Sequence, residues 1–369
     1  MAKNLKYWIW LSSIPKIGPV KRKMLLEHLG NPENIWYARG EELRRLGFLS
    51  EECVARIVDM KYRKAAEKHF EDIYKNGIDV ITIQDETYPW YLKNIYDPPV
   101  VLYKKGKLVP DESMVAVVGS RKATRYGLDM AERIACELSA RGIAVVSGMA
   151  RGVDSYAHRG ALKAGGRTIA VLGCGLDVVY PPENERLMND IIMSGAVLSE
   201  YAPGVQPFPG NFPARNRIIS GLSMGVAVIE AGEKSGSLIT ADLALEQGRD
   251  VFAVPGNMNS LNSRGTNRLI KEGAKIVTSI DDILEEIGCY NEAHKKSCQH
   301  TSKSNARRFN GLDSDEQAIL EALANEPLHI DLLALKCKMP IQSINSLVIV
   351  LELKGLVEQL PGKIYKLLD

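Results

Sequence analysis

The residues of this chain best suited to chemistry are glycines set beside hydroxyls and cations, and they recur in short runs. Gly119-Ser120-Arg121 is followed by Thr124, Tyr126 and Gly127. Ser147-Gly148-Met149-Ala150-Arg151-Gly152-Val153-Asp154 comes next, then Gly173-Cys174-Gly175-Leu176-Asp177 with Tyr180-Pro181-Pro182-Glu183-Asn184. Further on stand Phe212-Pro213-Ala214-Arg215-Asn216-Arg217-Ile218-Ile219-Ser220-Gly221-Leu222, Lys234-Ser235-Gly236-Ser237, Pro255-Gly256-Asn257 and Gly265-Thr266-Asn267. Glycine lets backbone N–H groups approach a phosphate, and an arginine fork or the free amides of a helix start complete an anion site. None of the runs is a Walker A or GxGxxG fingerprint. Acid–base catalysis is less well served, because the candidate carboxylates Glu230, Asp154 and Asp177 all fit strand-end or capping roles.

The elements that must position these runs are legible around them. Met114 to Val118, Ile143 to Val146, Thr168 to Leu172, Ala196 to Leu198, Val226 to Ile229 and Asp250 to Val254 are continuous apolar stretches, the pattern of strands buried on both faces of a parallel sheet. Amphipathic, helix-length segments lie between them, notably Gly127 to Arg141, Asp154 to Ala164 and Ser237 to Gln247. The alternation predicts an α/β fold, a Rossmann-like, doubly wound, mostly parallel sheet. In such a sheet ligands bind at the carboxyl ends of the strands. Five of the runs then converge on one sheet edge, four of them bringing Arg or Lys: Arg121, Arg151, the Arg215 and Arg217 pair around Asn216, and Lys234.

Two smaller regions flank this sheet. Residues 1–77 carry apolar residues at helical spacing, among them Met24, Leu25 and Leu29, and read as an N-terminal helical, SAM/HhH-like domain. Within it Ile14-Pro15-Lys16-Ile17-Gly18-Pro19-Val20 precedes a basic helix in the manner of a helix-hairpin-helix, although Lys16 stands where a glycine is expected. Phosphate contact and simple packing of short helices both fit that turn. The prolines and alternating apolar residues of Ile78 to Lys107 predict short strands leading into the central domain, 78–288. Residues 289–311 are polar and cationic, the composition of a flexible linker. Residues 312–369 read as three helices and a two-stranded hairpin, a winged helix, whose third helix, Ile341 to Leu353, is too apolar for a major-groove reader and is expected to meet protein.

Composition narrows the classes. Hydrophobic content of 45% with 25% charge belongs to a soluble globular protein, and no apolar run approaches the roughly 20 residues that cross a bilayer. Met1 to Trp10 lacks the order of a secretory signal, so a cytoplasmic location is expected. A net charge of +2 gives no global field for nucleic acid, which must be held by a local basic surface. The cysteines, Cys53, Cys136, Cys174, Cys289, Cys298 and Cys337, show no CxxC spacing and read as reduced thiols. Cys289, His294, Cys298 and His300 cluster without zinc-finger spacing, so no metal site and no cofactor are expected.

The runs at Gly119-Ser120-Arg121, at Ser147 to Asp154, at Pro213 to Leu222 and at Ser235-Gly236-Ser237-Leu238-Ile239-Thr240-Ala241 resemble, in order and spacing, the DprA/Smf DNA-processing family over roughly Tyr88 to Thr278. The resemblance implies a non-enzymatic protein that binds single-stranded DNA in the basic pocket of its Rossmann-like domain. It also implies a homodimer formed through that domain, and loading of the RecA recombinase in recombination and, in transformable bacteria, natural transformation. Carried onto this sequence, it places Arg121, Arg215, Asn216 and Arg217 on phosphates, with Gly119, Ser120, Ser235, Gly236 and Ser237 as backbone and hydroxyl donors; Arg151 and Lys234 complete the candidate DNA site. One loop departs from the family pattern, since Glu183 and Glu185 flank Arg186 where relatives carry basic residues. Two other classes compete. One is a nucleotide phosphoribohydrolase of the lysine-decarboxylase-named type, although Gly236-Ser237 and Glu246 stand in place of its Pro-Gly-Gly-x-Gly-Thr loop and glutamate. The other is a winged-helix regulator.

Overall fold

A computed structural model of the chain describes residues 2–288, 313–323, 328–337, 339–354, 356–360 and 363–367. The chain divides into two compact units, residues 1–291 and 292–369. In the first, helices α1 (Ala2–Ser13), α2 (Pro19–Leu29), α3 (Pro32–Tyr37), α4 (Gly40–Arg45), α5 (Glu51–Val58) and α6 (Met60–Lys75) precede β1 (Asp79–Thr82), α7 (Trp90–Lys93) and β2 (Val101–Gly106). Then strand and helix alternate: β3 (Met114–Val118), α8 (Arg125–Ala140), β4 (Ala144–Ser147), α9 (Val153–Lys163), β5 (Thr168–Leu172), α10 (Glu185–Ser194), β6 (Ala196–Ser199), α11 (Asn211–Leu222), β7 (Gly225–Val228), α12 (Gly236–Glu246), β8 (Asp250–Ala253), α13 (Arg264–Lys271) and β9 (Lys275–Ile276). A further helical stretch covers 281–288.

The described strands of this unit make one nine-stranded sheet in the order β1-β2-β6-β5-β4-β3-β7-β8-β9. From β6 to β9 every pairing is parallel. All five residues of β3 and of β5 are buried, as their unbroken apolar runs require of strands covered on both faces. The order reverses beside β3: the chain steps outward through β4, β5 and β6, then returns to lay β7 against the other edge of β3. That reversal is the switch point at which a doubly wound sheet opens a crevice at its carboxyl ends.

The short strands expected before the central sheet do more than lead into it. β1 pairs antiparallel with β2, and β2 pairs antiparallel with β6, Tyr103 opposite Ser199, so both are strands of the sheet itself. Gly106 closes β2 at φ +88; a Cβ there would meet Gly195 O at 2.4 Å, so only glycine lets the strand end lie against the turn before β6. The helical front end also joins the sheet. Ile9, Trp10, Leu25 and Ile35 are buried in the same apolar cluster as Val101, Tyr103, Val118 and Leu198. A second cluster, Val115, Val117, Ile134, Leu138 and Phe252 among its members, fills the other face beneath α8 and α9.

The second unit contains α14 (Ser314–Leu323), β10 (Leu328–His329), α15 (Ile330–Cys337), α16 (Ile341–Leu353), β11 (Val357–Leu360) and β12 (Ile364–Leu367), with a three-stranded sheet ordered β10-β12-β11. It is the winged helix anticipated from the sequence, with β10 added to the hairpin. Its core is Ile319, Leu320, Leu333, Ile344, Val348, Leu351, Val357 and Tyr365. α16 buries Ile344, Val348 and Leu351 yet leaves Ile341, Ile349 and Val350 exposed, so the face a DNA reader would present is partly apolar.

Among the described residues no helix is long and apolar enough to cross a membrane, and no cluster of His, Cys, Asp or Glu could hold a metal ion. Cys289, His294, Cys298 and His300 lie outside the described residues, as does the linker expected at 289–311.

Candidate functional site

At the switch point a cleft of about 780 Å³ opens at the carboxyl ends of β3 and β7. One wall is the turn after β3, with Gly119, Ser120, Arg121 and Lys122; another is the turn into α12, with Lys234, Ser235, Gly236 and Ser237; the start of α11 supplies Phe212, Pro213, Arg215 and Asn216. Of the candidate DNA-site residues, nine therefore share one space: Gly119, Ser120, Arg121, Arg215, Asn216, Lys234, Ser235, Gly236 and Ser237.

Local chemistry holds these turns in place. Ser120 N donates to Glu230 O at 2.7 Å, stitching the end of β3 to that of β7. Glu230 is buried, and its two carboxylate oxygens accept from Thr124 N at 2.8 Å and Thr124 Oγ1 at 2.6 Å. The same Thr124 Oγ1 caps α8 by accepting from Gly127 N at 3.3 Å. Gly152, at φ +77, permits the second loop to pass under the first; a Cβ there would meet Ser120 O at 2.3 Å. Ser235 caps α12, accepting from Ser237 N at 3.4 Å, and Asn216 Nδ2 reaches Gly236 O at 3.4 Å, tying α11 to the start of α12. The first amides of α12 accordingly face the cleft rim, where a helix start favours an anion.

The cations divide by environment. Arg121, Lys122 and Lys234 are exposed, and none makes an ion pair with a carboxylate among the described residues. The Arg121 guanidinium lies 5.2 Å from the centre of the Phe212 ring, against which Tyr180 packs at 5.5 Å. Arg215 is buried at 3% exposure and works as a strut: its Nη1 donates to Gly148 O at 2.9 Å and to Val171 O, locking α11 onto the ends of β4 and β5. Gly148 makes room, since a Cβ would come within 2.7 Å of Arg215 Nη2. Burial pulls the Arg215 guanidinium down to about 10, opposed by the charge of Asp154. Burial also raises the Asp154 carboxyl above its ordinary range, with Arg215 acting against the rise.

Two candidate residues lie elsewhere. Arg217 is turned off the cleft, its guanidinium paired with Glu200 at 2.7 Å and Asp97 at 2.9 Å. Its place as a phosphate contact is corrected on that ground, since a 5% exposed arginine already saturated by two carboxylates has no fork to offer. Arg151 is exposed but bound in a two-pronged pair by Glu183. The carboxylates considered for catalysis are also occupied. Asp177 accepts Gly204 N with both oxygens at 2.9 Å, and Asp154 accepts Ala150 N at 3.4 Å.

Lys122, Tyr180, Phe212 and Asn262 also line the cleft without having been among the candidate site residues, although Tyr180 and Phe212 stood in the runs themselves. Lys122 adjoins Arg121 and could have been found by adjacency, and Phe212 by being the lone aromatic between Pro209 and Pro213. Nothing local marks Asn262, which arrives from the β8–α13 connection to donate to Lys122 O at 2.8 Å.

Residues 79–288 match the family model for DNA recombination-mediator protein A, and residues 305–363 match that of the DprA winged helix domain. The chain is 34% identical to Protein Smf of Synechocystis over 98% of both chains. It is 52% identical to DNA processing protein DprA of Streptococcus pneumoniae over 56% of this chain and 73% of that one. Among solved structures, DNA processing protein A of Streptococcus pneumoniae superposes with a TM-score of 0.67 at 40% identity, covering 76% of this chain and 97% of that. The Helicobacter pylori protein, described for its single-stranded DNA binding mode, superposes at 0.51 with 32% identity, covering 58% and 96%.

Proposed function

The chain belongs to the DprA/Smf family of DNA recombination-mediator proteins, and from that premise we propose that it binds single-stranded DNA in the β3–β7 cleft and delivers it to the RecA recombinase. The observation that carries the reading is the set of three exposed cations without carboxylate partners among the described residues, Arg121, Lys122 and Lys234, around a cleft with aromatic walls, Phe212 and Tyr180. Cations track a phosphate backbone, and aromatic faces accept unstacked bases, which a duplex does not offer. Arg121 and Lys234 contact phosphates directly. Ser120, Ser235, Asn216 and the amides of Gly119 and Gly236 supply neutral donors, with Ser237 at the same helix start, while Arg215 holds the frame on which they sit.

Binding proceeds without turnover, in keeping with Glu230, Asp154 and Asp177 each accepting from a backbone N–H of a neighbouring turn. The protein acts in the cytoplasm as a homodimer formed through the sheet-bearing unit, and in transformable hosts it serves natural transformation. The winged helix contributes protein contacts, in keeping with the apolar residues exposed on α16. Fluorescence anisotropy with single-stranded, duplex and mononucleotide ligands tests the reading. Preference for single strands, weakening as salt rises, is the expected result. Equal affinity for duplex, or tight binding of a mononucleotide alone, contradicts it.

A further inference from the structure

A second cavity, of about 710 Å³, lies on the other side of α11. Pro213 and Asn216 line the cleft, whereas Ala214 and Arg217 line this space. Its remaining walls are the turn from Ser12 to Pro19, Arg22 of α2, His69 of α6, Asp97, and the stretch from Glu200 to Val205. Its charged groups are mostly spoken for: Glu200 and Asp97 are committed to Arg217, and Lys16 to Glu52 at 2.7 Å.

Arg22 is the exception. Its Nη2 donates to Ile14 O at 3.2 Å, but its Nε is sealed from solvent with no hydrogen-bond partner among the described residues, and His69 Nδ1 is in the same condition. Desolvation pulls the Arg22 guanidinium down to about 10 even though Glu200 acts against the fall. A buried charged donor left unpaired is costly, and an anion in the cavity that Arg22 lines would offset that cost. Beside it α2 starts with Pro19 at its first turn and Gly18 as an N-cap that makes no side-chain hydrogen bond, and the space around Gly18 is open. An anion is what would satisfy a helix start, a guanidinium and an imidazole together.

We infer that this cavity is a second phosphate site, with Arg22 as its principal donor and His69 and the first amides of α2 around the same group. The phosphate comes either from a strand that crosses α11 or from a free nucleotide, and the site does not depend on strand binding in the cleft.

The test uses the full-length chain carrying Arg121→Ala, so that the cleft is impaired and any residual site is read separately. Radiolabelled inorganic phosphate is measured by equilibrium dialysis, and labelled single strands of short and long length by anisotropy, with and without Arg22→Ala. Ala214→Glu, which places a carboxylate in the cavity wall from an exposed position, is the second variant should Arg22→Ala fail to fold. Either substitution is expected to weaken phosphate binding at least about tenfold, the equilibrium worth of one charged hydrogen bond. A parallel loss for long strands but not short ones assigns the phosphate to DNA; a loss for phosphate alone assigns it to a free nucleotide, and both support the site. Phosphate and strand affinities indifferent to both substitutions, undetectable binding included, overturn it. Weakened strand binding in Arg121→Ala alone speaks only to the cleft.

Discussion

Replacing Arg121 and Arg217 by alanine should give opposite phenotypes. Arg121 is exposed, lies over Phe212 and has no carboxylate partner among the described residues, so its donors are available to a ligand. One charged hydrogen bond contributes about 1.5 to 3 kcal/mol, so Arg121→Ala is expected to weaken single-strand binding by about 10- to 150-fold. With one phosphate contact gone, the slope of log affinity against log salt falls by about 0.7. Stability should hardly move, because an exposed arginine with only a ring contact supports little of the fold. Arg217→Ala works the other way. It leaves Glu200 and Asp97 without their counter-charge, and breaking a buried pair costs about 3 to 5 kcal/mol. The lower end applies, since the Asp97 side chain keeps 32% of its surface exposed. The molecules that remain folded should bind DNA with unchanged salt slope. Anisotropy at a series of salt concentrations and denaturant unfolding, run on both variants, separate the two effects. An Arg121→Ala protein with unaltered affinity and slope refutes the assignment, as does an Arg217→Ala protein of undiminished stability whose slope has fallen.

Three further outcomes follow from the geometry. The Thr168 hydroxyl gives its hydrogen to Val145 O at 2.8 Å, so it accepts from Nδ1–H of buried His158 at 2.7 Å, leaving Nε2 bare and unpartnered. Desolvation pushes the His158 imidazole from 6.5 down to about 3. Only the unfolded chain takes up the proton, so this contribution to stability is whole above pH 6.5 and drains as pH falls toward 3. Between about pH 7.5 and about pH 5 the loss is on the order of 2 kcal/mol by denaturant unfolding, and His158→Gln should abolish that part; an undiminished drop in the variant counts against it. Glu230→Gln removes an acceptor from the Thr124 cap and should cost about 1 to 3 kcal/mol of stability without altering any reaction. Release of free base from a nucleoside monophosphate by the unmodified protein, lost in this variant, would instead reinstate a phosphoribohydrolase. A chain ended after Gly288 should keep its single-strand affinity, and loss of all binding on truncation would move the principal site to the winged helix.

The architecture was legible because its signal is local. Met114 to Val118 and Thr168 to Leu172 are apolar at every position or nearly so, and burial on both faces of a parallel sheet is the state that such a run satisfies. The turns after them could be read for the same reason, since the chain must leave each strand at its carboxyl end. The sequence pattern was less informative for β1 and β2. Their alternation describes a strand but carries no mark of the partner, and the register of Tyr103 against Ser199 is set by packing between segments far apart in the chain. The front-end helices show the same limit. Their apolar spacing announced an amphipathic surface, while the surface it covers, around Val101 and Tyr103, had no signature in residues 1–77.

The arginines of the site obey the same division between local and remote signal. Arg215, Asn216 and Arg217 are consecutive and read as one group, but on a helix with about 3.6 residues per turn, positions two apart lie on nearly opposite sides. Arg215 points to the cleft floor and Arg217 to Glu200, so a triplet that looks like a single phosphate clamp is divided by the geometry of its own element. What each cation is free to do is then decided by acceptors remote in sequence. Glu200 stands 17 residues from Arg217, Glu183 stands 32 from Arg151, and Glu230 reaches 106 residues back to shape the turn that bears Arg121. Donor-rich loops can be recognised from residue types alone, but availability is a subtraction that requires knowing where the carboxylates went. In this fold Arg217 is held by two carboxylates and Arg151 by an exposed one, while Arg121, Lys122 and Lys234 stand on a common rim with none among the described residues, so those three cations should dominate the salt dependence of DNA binding.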